Sequence, residues 1–361
     1  MVKILVEGAT VLTMNTEDKV LERGYVYLDK GVIVGVGEGP PPPELEFAEY
    51  VIDGRGRVVT PGISIGIGSI VKFVFQYHGV CYTDPRQCLS TLSRGDLDAL
   101  LEVALMSLAM RGVTSLTTLL EKDEFHDVAP ALARAASECW VKTRIVTDLD
   151  YKDAEHVIDK ALKNVADRDA ISLSIVRFGI LEHEEIRQKI DMSDVVDPVV
   201  VGATKDLGDR VLYLDPKVSV KNAVVMKNFS SWRRRWGIAF SEARLINPRV
   251  AMENLLYRGF DSIEVLKIVT SYNSESYRWS EGVIEEGCVA DIVVWNFREL
   301  PAGPFPLDIG GLYRAIIDGI GTVETTLVRG ELVVDRGEPI TIGRKVVDRA
   351  YSVIESICKR R

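Results

Sequence analysis

The sequence is short of histidine, of pairable cysteine and of positive charge, and each shortage excludes something. Its 361 residues hold 4 histidines, His78, His126, His156 and His183. His156 and His183 fall within predicted helices and read as surface imidazoles, whereas His126 lies between a strand and a helix. His78 can be grouped with Cys81 and Cys88, but their spacing matches no familiar metal site. The 5 cysteines, Cys81, Cys88, Cys139, Cys288 and Cys358, are odd in number and scattered. That fits free thiols in a reducing cytoplasm better than a disulfide framework. A net charge of −9 argues against a general nucleic-acid binder and against docking on an anionic membrane. No apolar run approaches the roughly 20 residues of a membrane-spanning helix. The first residues alternate like a strand and meet Glu7 at once, unlike a signal peptide.

What is present begins with β-structure. Tyr25–Leu28 and Val32–Val36 flank a turn at Asp29-Lys30-Gly31 and read as a hairpin. A polyproline connector follows at Pro40–Pro43. The stretch Val58-Val59-Thr60-Pro61-Gly62 then punctuates the chain, because proline fixes φ and glycine accepts φ > 0. Beyond it, apolar runs alternate with helical patterns up to about residue 282. Counting Ile63–Ile67, eight runs read as strands, the number in a (β/α)8 barrel. Residues 205–210 and 216–222 are too short for crossover helices, so either those strands are misread or two outer helices have been lost, which would leave an apolar barrel face bare for a partner. After residue 283 the pattern returns to strands without helices, including a hairpin at Thr322–Val334.

The expected architecture is therefore α/β, with a TIM-like barrel over 61–282. A small β-sandwich domain is composite, made from 1–60 and 283–343. A C-terminal helix over 344–361 completes the chain.

Four phrases in this order resemble the amidohydrolase superfamily, nearest its cytosine deaminase and chlorohydrolase branch. They are Val51-Ile52-Asp53-Gly54 through Thr60-Pro61-Gly62, then Met110-Arg111-Gly112-Val113-Thr114-Ser115, then Gly282 to Trp295, and finally Thr322 to Asp335. The resemblance implies a zinc or iron site at the C-terminal mouth of the barrel, with a His-x-His pair five and seven residues after the Pro-Gly. Ile67 and Ser69 stand there instead. Ile67 has no lone pair, and a serine hydroxyl is a poor zinc ligand. The comparable runs of strands five and six carry no histidine, and strand eight ends Phe240-Ser241-Glu242 where the family has an aspartate.

Two functions follow as expectations. The first is a degenerate member with no cofactor, serving as a non-catalytic ligand-binding or assembly protein. The alternative is a hydrolase or deaminase acting on C–N bonds of a small cyclic amide or amino-heterocycle, through an altered acid/base set. Its candidate groups are Lys205, Asp215, Lys227, Ser241 and Glu242, all near strand ends. Trp232, Arg233, Arg234 and Arg235 form a candidate loop for an anionic or planar ligand; the plainer reading is an exposed basic loop over packed tryptophans. The expected partners are a small-molecule ligand and a second subunit, as a homodimer or with a different chain.

Overall fold

Gly62 separates two strands that belong to different sheets. In a computed structural model of the chain, Arg57–Pro61 lies in a nine-stranded sheet and Ile63–Ile67 opens an eight-stranded one. The space a Cβ would need at Gly62 is filled by the Thr114 side chain, so only glycine fits. The structure describes residues 2–45, 47–166, 174–183, 196–226, 229, 232–299 and 308–359.

The nine-stranded sheet draws on both chain ends. Its strands are β1 (Ile4–Leu12), β2 (Val20–Asp29), β3 (Val32–Glu38), β4 (Tyr50–Asp53) and β5 (Arg57–Pro61). Gly8 at φ 75° marks register shifts in β1, which is a single bulged strand. β2 and β3 form the expected hairpin.

The second sheet contains β6 (Ile63–Ile67), β7 (Val113–Leu120), β8 (Lys142–Thr147), β9 (Val176–His183) and β10 (Val196–Val201). It continues through β11 (Leu212–Leu214), β12 (Ala223–Val225) and β13 (Gly237–Ile238). These run in sequential order, and a parallel bridge from Ile67 to Phe240 closes the ring. All eight strands expected from the apolar runs are present, and the fold is an eight-stranded parallel barrel. The fourth strand lies later than expected: β9 runs to His183, where a helix was predicted from Glu182.

The chain returns to the first sheet with β14 (Ile292–Asn296), β15 (Thr322–Val328), β16 (Glu331–Asp335) and β17 (Glu338–Pro339). β14 pairs antiparallel with β5, so the late strands do find their partners among the early ones. Ile4, Val6, Val59, Ile292, Val294 and Leu327 are fully buried in one apolar core. The C-terminal helix spans Arg344–Lys359.

By contact density the chain divides into two compact units. One holds Met1–Ser64, Ala109–Ser115 and Asn247–Ile340; the other holds Ile65–Leu108, Leu116–Ile246 and Thr341–Arg361.

Helices follow β7 and β8, over Lys122–Cys139 and Tyr151–Ala166. Among the described residues no α-helix lies between β10 and β13. The apolar face expected to be bare there is nevertheless covered. Val200, Tyr213, Ala223 and Val225 on the strands are buried beneath loop residues that include Val211, Val220 and Trp236. The Tyr213 hydroxyl donates to Asp206 Oδ1 at 3.0 Å and accepts from the Leu207 amide at 2.6 Å, tying the loop to the strand. The loops do the burial that helices do elsewhere in the barrel.

Two sequence expectations change. Cys81 and Cys88 form a disulfide, with Cα atoms 5.6 Å apart, so the five-thiol reading is corrected to three. The pairing also takes those two sulfurs out of the grouping with His78, whose Nδ1 lies 3.7 Å from Cys358 Sγ. No described helix is long and apolar enough to cross a membrane.

Inside the barrel, β8, β9 and β10 place charge where apolar residues are usual. Phe178 packs edge-on against Phe125 of an outer helix, so its neighbours Arg177 and Gly179 face inward. Arg144 Nη2 reaches Asp197 Oδ2 at 2.8 Å, and Arg177 Nη2 reaches Asp197 Oδ1 at 3.0 Å. Arg144 and Asp197 are 0% and 1% exposed. Such a carboxylate holds two guanidiniums in place, and removing it strands buried charge.

Two outcomes are expected. Thiol titration of the unfolded chain should give three reactive groups without reductant and five after reduction; five in both states removes the disulfide. Asp197→Ala should lower unfolding free energy by about 3–5 kcal/mol in urea titration; a loss under about 1 kcal/mol would show the network to be dispensable.

Candidate functional site

The mouth of the barrel is built where each strand ends and its loop begins. At the first strand, Ile67 is 4% exposed and buried with Phe240 across the closing bridge. Ser69 caps the helix Ile70–Val74, its side chain accepting from the Lys72 amide at 3.2 Å. The next strand continues this framework. Thr118 Oγ1 donates to the Gly68 carbonyl at 2.7 Å and accepts from the Ile70 amide at 2.9 Å. The two positions where the resemblance implies imidazoles are thus a core residue and a helix cap.

The acid/base candidates occupy different settings. Asp215, at φ 46°, accepts from the Met226 amide at 2.7 Å. This short polar side chain tolerates the left-handed backbone and ties the end of β11 to the end of β12. Glu242 is exposed, and its Oε2 lies 2.8 Å from Arg244 Nε. An exposed pair of this kind is worth little and leaves the carboxylate available to solvent. Lys205 and Ser241 are also exposed on their loops. Lys227 lies outside the described residues.

The tryptophan–arginine loop is more ordered than its composition suggests. Trp232 Nε1 donates to the Trp236 carbonyl at 2.9 Å, and Trp236 is buried in the loop-covered core. The Arg233 guanidinium carbon stands 5.4 Å from the Trp236 ring centroid, within cation–π range. Arg234 and Arg235 are exposed beside it. The structure therefore combines a basic surface with packed tryptophans beneath.

Two residues at the mouth escaped the sequence reading. His183 is the last residue of β9, in register with Val201 of β10, and so belongs to the mouth end of a strand. Glu124 lies in the first turn of the helix after β7 and is 3% exposed. Its Oε2 has no hydrogen-bond partner among the described residues. Burial, followed by the neighbouring Glu121 carboxylate, raises its pKa above the ordinary range. Glu121 itself pairs with Lys72 Nζ at 3.0 Å. Nothing local marks Glu124, because acidic residues are common in a first helical turn. His126, by contrast, is exposed on the same helix, and His156 is exposed as expected.

The raised pKa has a definite sign. The protonated form is favoured by folding, so this contribution is complete below the ordinary carboxylate pKa and lost as pH rises through the folded value. Glu124→Gln, which mimics the protonated form, should gain stability relative to the parent as pH rises from about 4 to about 8. Denaturant titrations at both values check this; a pH-independent difference would refute it.

No protein-family model matches the sequence. Two curated relatives are 5-methylthioadenosine/S-adenosylhomocysteine deaminases. The one from Pyrococcus furiosus is 33% identical over 97 residues, covering 26% of this chain and 22% of its own. The one from Halalkalibacterium halodurans is 39% identical over 59 residues, covering 16% and 14%. The match therefore spans less than a quarter of either relative.

Solved structures match throughout. A triazine hydrolase variant superposes with a TM-score of 0.67 at 15% identity, over 98% of this chain and 100% of its own. Atrazine chlorohydrolase from Arthrobacter aurescens, complexed with zinc, gives 0.66 at 14% identity, over 97% and 100%. An amidohydrolase from Brucella melitensis gives 0.67 at 13% identity, over 99% and 100%.

The zinc complex corrects the expectation of no cofactor, since this is a fold that holds zinc in its solved relatives. The first-strand positions of this chain do not fit the ion: Ile67 offers no donor and the Ser69 oxygen is used by a helix cap. Nor do the described residues contain a group of three or more histidine, cysteine or acidic side chains able to hold a metal. With the barrel closed, the composite sheet formed from both ends and the solved structures superposed along the whole chain, the resemblance read in the four phrases holds: this chain has the fold of the amidohydrolase superfamily.

Proposed function

We propose that this chain hydrolyses a non-peptide C–N bond in a small cyclic amide or amino-substituted heterocycle. The observation that carries the reading is the superposition of triazine and atrazine hydrolases over 97–98% of the chain. The short stretches shared with deaminases are what direct the reading to a C–N bond. Replacing an amino group on an electron-poor ring carbon requires removal of a proton from water and delivery of one to the departing nitrogen.

Glu242 is the residue best placed to take the water proton, since its carboxylate is exposed at the eighth strand and pairs there with the equally exposed Arg244. Asp215 acts by position, because its oxygen is committed to the Met226 amide. Lys205, on the loop after the fifth strand, is the cationic group for the leaving nitrogen. Ser241 adjoins Glu242 and can orient the water. Trp232, Arg233, Arg234 and Arg235 would bind the planar substrate. No step is assigned to a metal.

A second reading, ligand binding without turnover, is favoured by Ile67 and Ser69 at the two first-strand positions. Ammonia release from a panel of amino-substituted heterocycles, with thermal shift measured on the same compounds, separates the two. Turnover is expected, with kcat falling about 10²- to 10⁴-fold in Glu242→Gln and KM little changed. Thermal shifts without ammonia would establish the second reading. Neither signal across the panel would sink both.

A further inference from the structure

Three of the five sulfurs gather around one imidazole. Cys81 and Cys88, bridged with Cα atoms 5.6 Å apart, sit on two short helices, Val80–Thr83 and Pro85–Leu89, that follow the first barrel strand. His78 precedes them by one turn, its carbonyl accepting from the Cys81 amide at 3.0 Å. Residues three apart in a helical turn carry neighbouring side chains. From the C-terminal helix, Cys358 brings its Sγ to 3.7 Å from His78 Nδ1. Arg349 holds that helix to the stretch just after the bridge, donating from Nε to Asp96 Oδ1 at 2.9 Å and from Nη2 to Ser93 Oγ at 3.3 Å. All these residues fall in the same compact unit.

The sulfurs differ in access. Cys81 and Cys88 are 2% and 9% exposed, so a dissolved oxidant has little direct reach to them. Cys358 is exposed. The other two thiols are poor competitors. Cys139 is fully buried, and burial, followed by the Glu281 and Glu285 carboxylates, pushes the Cys288 thiol up to about 11. The one open thiol thus lies against an imidazole that is a single turn from the buried bridge.

We propose that Cys358 and His78 form a thiol–disulfide exchange site, through which a low-molecular-weight disulfide oxidises Cys81 and Cys88. In the first step Cys358 Sγ attacks one sulfur of the small disulfide and that S–S bond breaks. His78 takes the Cys358 proton and passes it to the departing small thiol. A bridge cysteine then attacks Cys358 Sγ, releasing the second small thiol with the attacker's proton. The other bridge cysteine attacks in turn, which closes Cys81–Cys88 and restores the Cys358 thiol. Two protein thiols lose two electrons, and one small disulfide becomes two small thiols. Excess small thiol drives the same steps backward. The site does not depend on the reaction proposed for the barrel mouth.

The test is reoxidation of the reduced, folded chain by glutathione disulfide, quenched in acid and mapped by peptide mass over time. The first glutathione adduct should form at Cys358 and decay as the Cys81–Cys88 bridge appears. Cys358→Ser should slow bridge formation at least about tenfold, with the melting temperature of the reduced chain unchanged. His78→Gln should slow the first adduct by a similar factor at neutral pH. That difference should vanish near about pH 10, where thiols ionise without a base. Parental rates of bridge formation in Cys358→Ser, first adducts on Cys81 or Cys88, or a parental adduct rate in His78→Gln at neutral pH would each overturn the proposal. So would a bridge that never re-forms in the folded chain.

Discussion

One residue of chain joins the two sheets, and that constraint organises the molecule. Pro61 pairs with Ile292 at the end of β5, and Ile63 already donates its amide to the Gly112 carbonyl beside β7. Gly62 must turn between them while donating to the Asp291 carbonyl at 2.8 Å, with Thr114 pressed against it. A larger residue would displace Thr114, and a longer connection would loosen both registers at once. The late strand β14 meets the same few residues, pairing with β5 and accepting from Gly62 at Asp291.

The barrel interior resolves a second conflict. A strand that faces a barrel core usually carries branched apolar residues, yet Arg144, Arg177 and Asp197 point inward here. Their cost is met by mutual pairing across three adjacent strands, with both Asp197 oxygens engaged. At the mouth the trade runs the other way. Positions suited to metal ligands are taken by packing and capping, while acid and base side chains sit on loops.

Much of this was legible in the residues. Pro61-Gly62, the two hairpins and the eight apolar runs were local signals, and the observed strands follow them. What failed was information that local sequence does not hold. The run around Val176–Leu181 is equally compatible with a strand shifted by several residues, which hid His183 at the end of β9. The Cys81–Cys88 bridge depends on two short helices bringing their Cα atoms together. Glu124 looks like any acidic residue of a first turn until the surrounding helices bury it. The short connections left open whether strands were misread or helices lost; the strands are present with no described helix between them, and the apolar face is not bare, because Trp236 and its neighbours could be recognised as cover only in three dimensions.

The loop-covered half of the barrel has a kinetic meaning. Parallel strands ordinarily wait for a long crossover to close, and that search makes such sheets slow to form. Here β10 to β13 are joined by residues 202–211, 215–222 and 226–236, so each strand finds its neighbour after a short loop. Tyr213 and Asn222 anchor those loops to the same strands. This arc of the barrel is a locally wired segment of low sequence separation, in contrast to β6 and β13, whose ends of the ring meet across the whole stretch of chain from Ile67 to Phe240.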